Sequence, residues 1–404
     1  MAAMTEPGPT HLDIAERRRR LVSRHFLATP GPDVESVAGA MCGLHATDPA
    51  TVALAAKARL EGFDLDQLDD ALYRRRSVAR MLGMRRTLFV VPRDLMAIVD
   101  AACTQSLLAN ERRIVATAVE RDGVEPDGQR WIDETCDAVL GILETRGPLT
   151  ARELSERSVA MRTKLTIGAT TRNPASVSVG SRILFLLATQ GRIVRDRPVG
   201  TWLSTLHRWA PMHRHFDPFP PMEPAHARAE LLGRWLSTFG PATPTDIAWW
   251  AKWTKTQTRS ALDAIAAEPV TVDTGNDTSP ADAFVVAGDS GVTSLPPGPN
   301  VSLLPSLDPT IMGWKQRAWY LGSRPGDLFD SNGNSGPVVM VDGAVVGVWA
   351  QDSEGTVVTE LIAPPPLAVR RLIAARAADL TRWLAGTRVV PRFPTPMQRR
   401  LSGG

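Results

Sequence analysis

Apolar residues recur at helical spacing through the first third of the chain, and the polar residues between them mark where helices start and stop. His11 to Phe26 reads as an amphipathic helix carrying the run Arg17-Arg18-Arg19-Arg20. A second helix is expected from Pro32 to Leu44, with Val34, Val37, Ala40 and Met41 as its buried stripe. Asp48-Pro49 opens a third, because Asp caps a helix well and Pro suits its first position; it continues to about Glu61. A short helix over Leu65 to Arg74 precedes Ser77 to Pro92, where β-branched and apolar runs are broken by Gly83 and flanked by arginines, Arg85 and Arg86 among them. A long helix from Asp94 to Val119 closes this stretch.

Helices followed by a short basic hairpin form the pattern of a winged helix, and the pattern recurs. Trp131 to Glu144 is helical, Gly147-Pro148-Leu149-Thr150 turns into the next helix, Ser178 to Thr189 is another, and Gly191 to Arg195 begins a strand. A third copy opens with a helix from Ala227 to Phe239. Its Gly240-Pro241-Ala242-Thr243 matches the form of the Gly147 turn, about 90 residues on, which is evidence for an internal repeat. Lys255 to Ala267 is its second helix and Val270-Thr271-Val272 a strand.

After Leu295 the pattern changes. Val338 to Trp349 reads as two strands around Asp342-Gly343, the signature of a type I′ hairpin turn. Thr356 to Ile362 adds a strand, Pro364 to Leu384 a final helix, and Val389 to Gly404 a basic, mobile tail. The expected fold is α+β, mainly α: winged helices over 1–126, 127–222 and 223–294, then a small β-rich domain over 295–404 carrying the last helix.

Composition narrows the classes. A chain of 404 residues with 43% hydrophobic residues supports several packed cores, and no apolar run approaches the ~18 residues of a membrane helix. Met1 to Pro9 lacks a basic-then-apolar signal, so a cytoplasmic location and no membrane partner are expected. Cys42, Cys103 and Cys136 form no Cys-x-x-Cys, which argues against disulfides and zinc fingers. His213 and His215 are spaced like metal ligands, but nothing nearby completes a set, so no metal and no cofactor is expected. Net charge is only +3, yet 41 of the 46 basic residues are arginine, whose planar fork binds phosphate bidentately.

Two groups of residues carry candidate chemistry. In Gly43-Leu44-His45-Ala46-Thr47-Asp48-Pro49-Ala50, an imidazole and a hydroxyl stand two residues apart. On a helix such a pair diverges by roughly 200°, whereas the extended backbone favoured before proline puts i and i+2 on one face. His45 and Thr47 can therefore share a cavity, with Asp48 as N-cap or as a nearby carboxylate. The same residues also fit a plain helix-end histidine and an ordinary turn. Asp308-Pro309 reads as a turn whose acid can serve a neighbouring site. Arg85 and Arg86 on a wing, and Lys252, Lys255 and Arg259 on the third repeat's recognition helix, fit phosphate contacts; a solvated basic face is the alternative.

Gly43 to Leu60 resembles the Gly-Leu-Gln-Ala-Gln-Asp-Pro…Ala-Arg-Leu signature of the AlkZ/YcaQ-type winged-helix DNA glycosylases. Arg86 to Leu95 resembles that family's next block, and Leu303 to Pro309, Gly313-Trp314…Arg317 and Val341 to Trp349 resemble its C-terminal blocks. The resemblance implies three tandem winged helices and a β-rich C-terminal domain. It implies a monomeric, metal-independent enzyme that hydrolyses the N-glycosidic bond of alkylated purines in double-stranded DNA, with no obligate protein partner. The family's members act on bulky N7-guanine adducts of genotoxic natural products, some as self-resistance factors. Its catalytic motif is Gln-x-Gln or Gln-x-Asp, and the matching positions here are His45 and Thr47, a departure at both. A non-catalytic winged-helix DNA-binding protein, a regulator or adduct-binding protector, is the other reading.

Overall fold

The first helix starts at Asp13, not at His11. In the computed structural model, which describes residues 9–168, 175–275, 279–322 and 325–402, the Asp13 carboxylate accepts the Glu16 amide at 2.7 Å and caps a helix over Ile14–Arg24. Met1 to Gly8, where a signal was sought, lie outside the described residues, as do the last two residues of the tail. Thr10–Leu12 is a strand, parallel to Glu268–Val272, which pairs in turn with Ala281–Val285. Leu12 packs there with Val270, Val272, Ala283 and Val285. The partner strand lies too far along the chain for periodicity to reveal it.

The chain is 46% helix and 19% strand with small sheets, an α+β fold that is mainly α. It packs as two units, one of Met1–Leu68 with Arg228–Gly404 and one of Asp69–Ala227.

In the first unit Arg17, Arg18 and Arg20 of the run reach inward, while Arg19 stays on the helix surface paired with Glu16. Arg17 and Arg20 are 2% and 1% exposed. The Arg17 guanidinium lies 4.1 Å over the Trp319 ring and donates to the Asp273 carbonyl, and burial pushes its pKa down to about 10. Arg18 donates to the Trp319 carbonyl, and Arg20 binds Glu16 and Asp289. The second helix is Val34–Ala40, shorter than its apolar stripe suggests. It ends where Cys42 (φ 49°) and Gly43 (φ 110°) turn left-handed and Gly43 N–H donates to the Ala38 carbonyl at 2.7 Å. That turn hands the chain to the extended pair Leu44–His45 and then to the helix Pro49–Lys57.

The third repeat lies in this unit. Its helices are Pro224–Phe239, Pro244–Ala251 and Lys255–Ala264, followed by the strand pair 268–272 and 281–285. Beyond it, Val301–Leu304, Val338–Val341, Ala344–Gln351 and Val357–Leu361 form an antiparallel sheet in chain order. Its central turn has both Asp342 (φ 45°) and Gly343 (φ 77°) left-handed, as type I′ demands. The helix Leu367–Leu384 follows. The tail, expected to be mobile, instead forms a helix over Pro396–Leu401 that is capped by Thr395 and buries Met397 and Gln398.

The second unit contains a winged helix. Helices Gly128–Arg146, Ala151–Arg157 and Gly180–Thr189 precede strands Ile193–Pro198 and His207–Pro211, and the sheet order is 149–150, 207–211, 193–198. Ile132, Val139, Leu143, Leu154, Ile183 and Leu187 form its core. The repeat seen in sequence has a physical basis: Thr150 with Glu153, and Thr243 with Asp246, make the same reciprocal capping box at the start of the second helix. A further hairpin, Lys164–Ile167 with Ala175–Ser178, had no counterpart in the sequence reading. The expected long helix after Asp94 is Arg93–Val99 and Gln105–Arg121 joined by one π turn, Asp100–Thr104.

Candidate active site

The left-handed turn at Cys42-Gly43 and the cap at Asp48 bracket the His45–Thr47 segment. Asp48 is extended (φ −101°, ψ 116°), as a residue before proline must be, and its Oδ1 accepts the Ala50 amide at 3.1 Å. Its Oδ2 accepts the backbone N–H of Arg392, also at 3.1 Å, and Arg392 Nη1 donates to the Thr47 carbonyl at 3.1 Å. Both Asp48 oxygens are therefore engaged in holding the backbone: one starts the helix and the other anchors the tail. No local signal in the sequence marks Arg392 as a partner; only the prolines at 391 and 394 show that its segment is stiff.

Thr47 is partly exposed, but its Oγ1 is a buried atom with no hydrogen-bond partner among the described residues. A buried hydroxyl left unsatisfied costs about 1–3 kcal/mol, so this oxygen has capacity for a water or a substrate group. His45, two residues before it at the end of the extended pair Leu44–His45, is only 4% exposed.

Beneath the segment lies a polar network with no solvent access. Arg59 grips Asp308 through Nη2–Oδ1 (2.7 Å) and Nη1–Oδ2 (2.9 Å), with both side chains 0% exposed. Arg59 also donates to Thr310 Oγ1, which lies 2.8 Å from His25 Nδ1, and Thr51 Oγ1 donates to the Ser306 carbonyl. Burial and the Arg59 cation hold His25 well below the usual imidazole range, so it is neutral. Asp308 is thus not a free acid beside the site. It fixes the helix that begins at Pro49 to the loop 305–312.

The basic candidates separate into two kinds. Arg85 and Arg86 form the left-handed tip between strands Val78–Leu82 and Leu88–Pro92. Arg86 is engaged within its own unit: it pairs with the nearly buried Glu111 at 2.6 Å and sits 4.9 Å from the Phe185 ring centre. Lys252 is not on the recognition helix as the sequence suggested; it is the left-handed cap of the preceding helix (φ 61°). It still joins Lys255, Arg259 and Lys315 around one open groove of about 1020 Å³, floored by Trp249 and Trp253. None of these four cations has a carboxylate partner among the described residues. His213 and His215 do not converge, since they face Glu144 and Asp196 respectively.

A model of the DNA glycosylase AlkZ-like family matches residues 38–383, which takes in His45, Thr47, Lys255 and Asp308 but not Arg392. Among solved structures, the DNA glycosylase AlkZ of Streptomyces sahachiroi aligns with a TM-score of 0.67 at 22% identity, over 94% of this chain and 99% of that one. At that identity the likeness speaks for the fold. No curated protein matches the sequence. No helix among the described residues is long and apolar enough to cross a membrane. Because the family match spans most of the chain and both ends of the buried Arg59–Asp308 pair, the chain belongs to the AlkZ-like DNA glycosylase family.

Proposed function

We propose that the protein is a monofunctional DNA glycosylase that removes bulky N7-alkylguanine adducts from duplex DNA, with His45 and Thr47 at the reacting centre. The observation that carries this is the unsatisfied Thr47 hydroxyl, held on a segment pinned at both sides. An N7-alkylated guanine is already cationic, so it departs with little acid assistance. What remains is to place a water against C1′ and to tolerate an oxocarbenium-like transition state. Thr47 Oγ1 orients that water, and the His45 imidazole accepts its proton. Asp48 acts through the backbone it holds and is a positioning residue. No lysine lies between Gly43 and Leu60 except Lys57, whose ammonium pairs with Asp379, so no Schiff-base lyase step follows. The groove around Lys252, Lys255 and Arg259 grips the duplex backbone. We read the three winged helices over 1–126, 127–222 and 223–294, and the C-terminal domain over 295–404, as one DNA-binding array that works as a monomer inside the cell.

The second reading is a non-catalytic adduct-binding protein, and the 4% exposure of His45 favours it. Incubation with duplex carrying one defined N7-guanine adduct, followed by heat or alkali to break abasic sites, separates the two. Strand breakage above background supports the enzyme; none across several bulky and small adducts sinks it.

A further inference from the structure

In the second unit Arg80 and Arg195 have no carboxylate partner among the described residues. Arg80, 6% exposed, reaches only neutral groups: Tyr73 Oη at 3.3 Å and the His207 ring at 3.5 Å, and its Nε has no partner. The guanidinium of the half-buried Arg195, on the strand packed beside it, lies 4.4 Å over the Trp209 ring and has no hydrogen bond or ion pair among the described residues. The nearby Asp196 carboxylate is turned to Arg76 and His215. The two guanidiniums act on each other and on His207, whose pKa burial and these cations push down to about 3. Buried charge is normally paired, so this cluster is built for an anion that the chain does not supply.

Arg195 opens onto a cavity of about 400 Å³, lined also by Ser155, Ser178, Gly180, Ser181 and Trp209. The helix Gly180–Thr189 begins at this cavity; its N-cap Val179 offers no side-chain acceptor, and Ser178 Oγ accepts the Gly180 amide at 3.4 Å. The Ser181 amide, the helix dipole, hydroxyls and an arginine without a carboxylate partner then face one space. A β-carbon at Gly180 would stand 3.0 Å from the Met161 carbonyl, so glycine keeps this entrance narrow and unobstructed.

We propose that this cavity is a binding site for a backbone phosphate of duplex DNA, held by Arg195 and by the amide and hydroxyl of Ser181. The helix it caps stands where a winged helix presents its recognition helix, between the second helix and the wing strands. The site rests on the reading of the protein as a DNA enzyme, and adds a second grip remote in sequence from Lys252, Lys255 and Arg259.

The test uses the full chain and undamaged duplex, with binding followed by anisotropy between about 50 and 200 mM salt. Arg195→Gln is expected to weaken binding about tenfold and to lower the slope of log K against log salt by about 0.9, the value of one phosphate contact. Arg195→Lys restores most of the slope. Ser181→Asp supplies the helix start with an anion of its own, so the fold keeps or gains thermal stability while DNA binding falls. Unchanged slopes for Arg195→Gln and Ser181→Asp, in folded proteins, overturn the proposal. So does a result in which inorganic phosphate raises the melting temperature through Arg195 while DNA binding ignores both variants. Loss of slope without adduct excision fails the glycosylase reading alone; excision with unchanged slope fails this site alone.

Discussion

Arg59 and Asp308 stand 249 residues apart and meet through two parallel hydrogen bonds with neither side chain exposed. One lies in the turn that ends the helix Pro49–Lys57, the other in a loop beyond the third repeat, so the pair ties the end of the motif's helix to the C-terminal half of its unit. Removing one partner strands a buried charge, which typically costs about 3–5 kcal/mol. Asp308→Asn and Arg59→Met should each lower the melting temperature steeply. Arg59→Met combined with Asp308→Leu should recover a large part of the loss. If the single variants melt like the parent, the pair is not what secures this helix.

Thr47→Val keeps the shape of the side chain and deletes the hydroxyl. Because that oxygen has no partner, the folded protein should lose no stability, while excision of an N7-guanine adduct falls about 10²-fold. His45→Ala should cost about 10²–10⁴-fold in the single-turnover rate, with DNA affinity nearly intact. Equal excision by all three proteins would remove both residues from the chemistry.

Asp48→Ala should behave differently. It removes a helix cap worth about 1 kcal/mol and leaves the Arg392 amide without its acceptor, so stability and excision fall together. Truncation before Arg392 should reproduce the excision defect with the cap still in place. A truncated chain with full activity would show that the tail does not position the motif.

Acid should destabilise the second unit before its carboxylates protonate. His207 ionises near its ordinary 6.5 in the unfolded chain but only near about 3 in the fold, because burial disfavours its charged form and Arg80 and Arg195 oppose the charge. Above pH 6.5 both states are neutral and nothing is lost; as pH falls from there towards 3 the unfolded state takes up the proton alone. The penalty grows by about 1.4 kcal/mol per pH unit at most. His207→Gln should flatten the fall of stability between about pH 6 and 4. A parallel acid limb in variant and parent would contradict this.

Local chemistry was legible and distant pairing was not. Asp342-Gly343, Thr150 and Thr243, and Asp48-Pro49 each state their turn or cap within four residues, and the structure has all of them. The pairing of Thr10–Leu12 with residues 270–272 has no such signature, because a three-residue strand is defined by its neighbour. The partners of Arg17, Arg18 and Arg20 were equally out of reach, since carbonyls and an acid from beyond residue 270 receive them. The candidate motif was located by its flanks. Its anchoring by Arg392 was invisible, since 344 residues separate donor and acceptor.

That separation orders events in time. The second unit is an insertion within the first, so it is complete on the ribosome while Asp48 still waits for the amide of Arg392. At roughly 5–20 residues per second, synthesis leaves the motif without its last anchor for roughly 20–70 s. The second unit can therefore fold while the segment from Gly43 to Ala50 still lacks its last anchor.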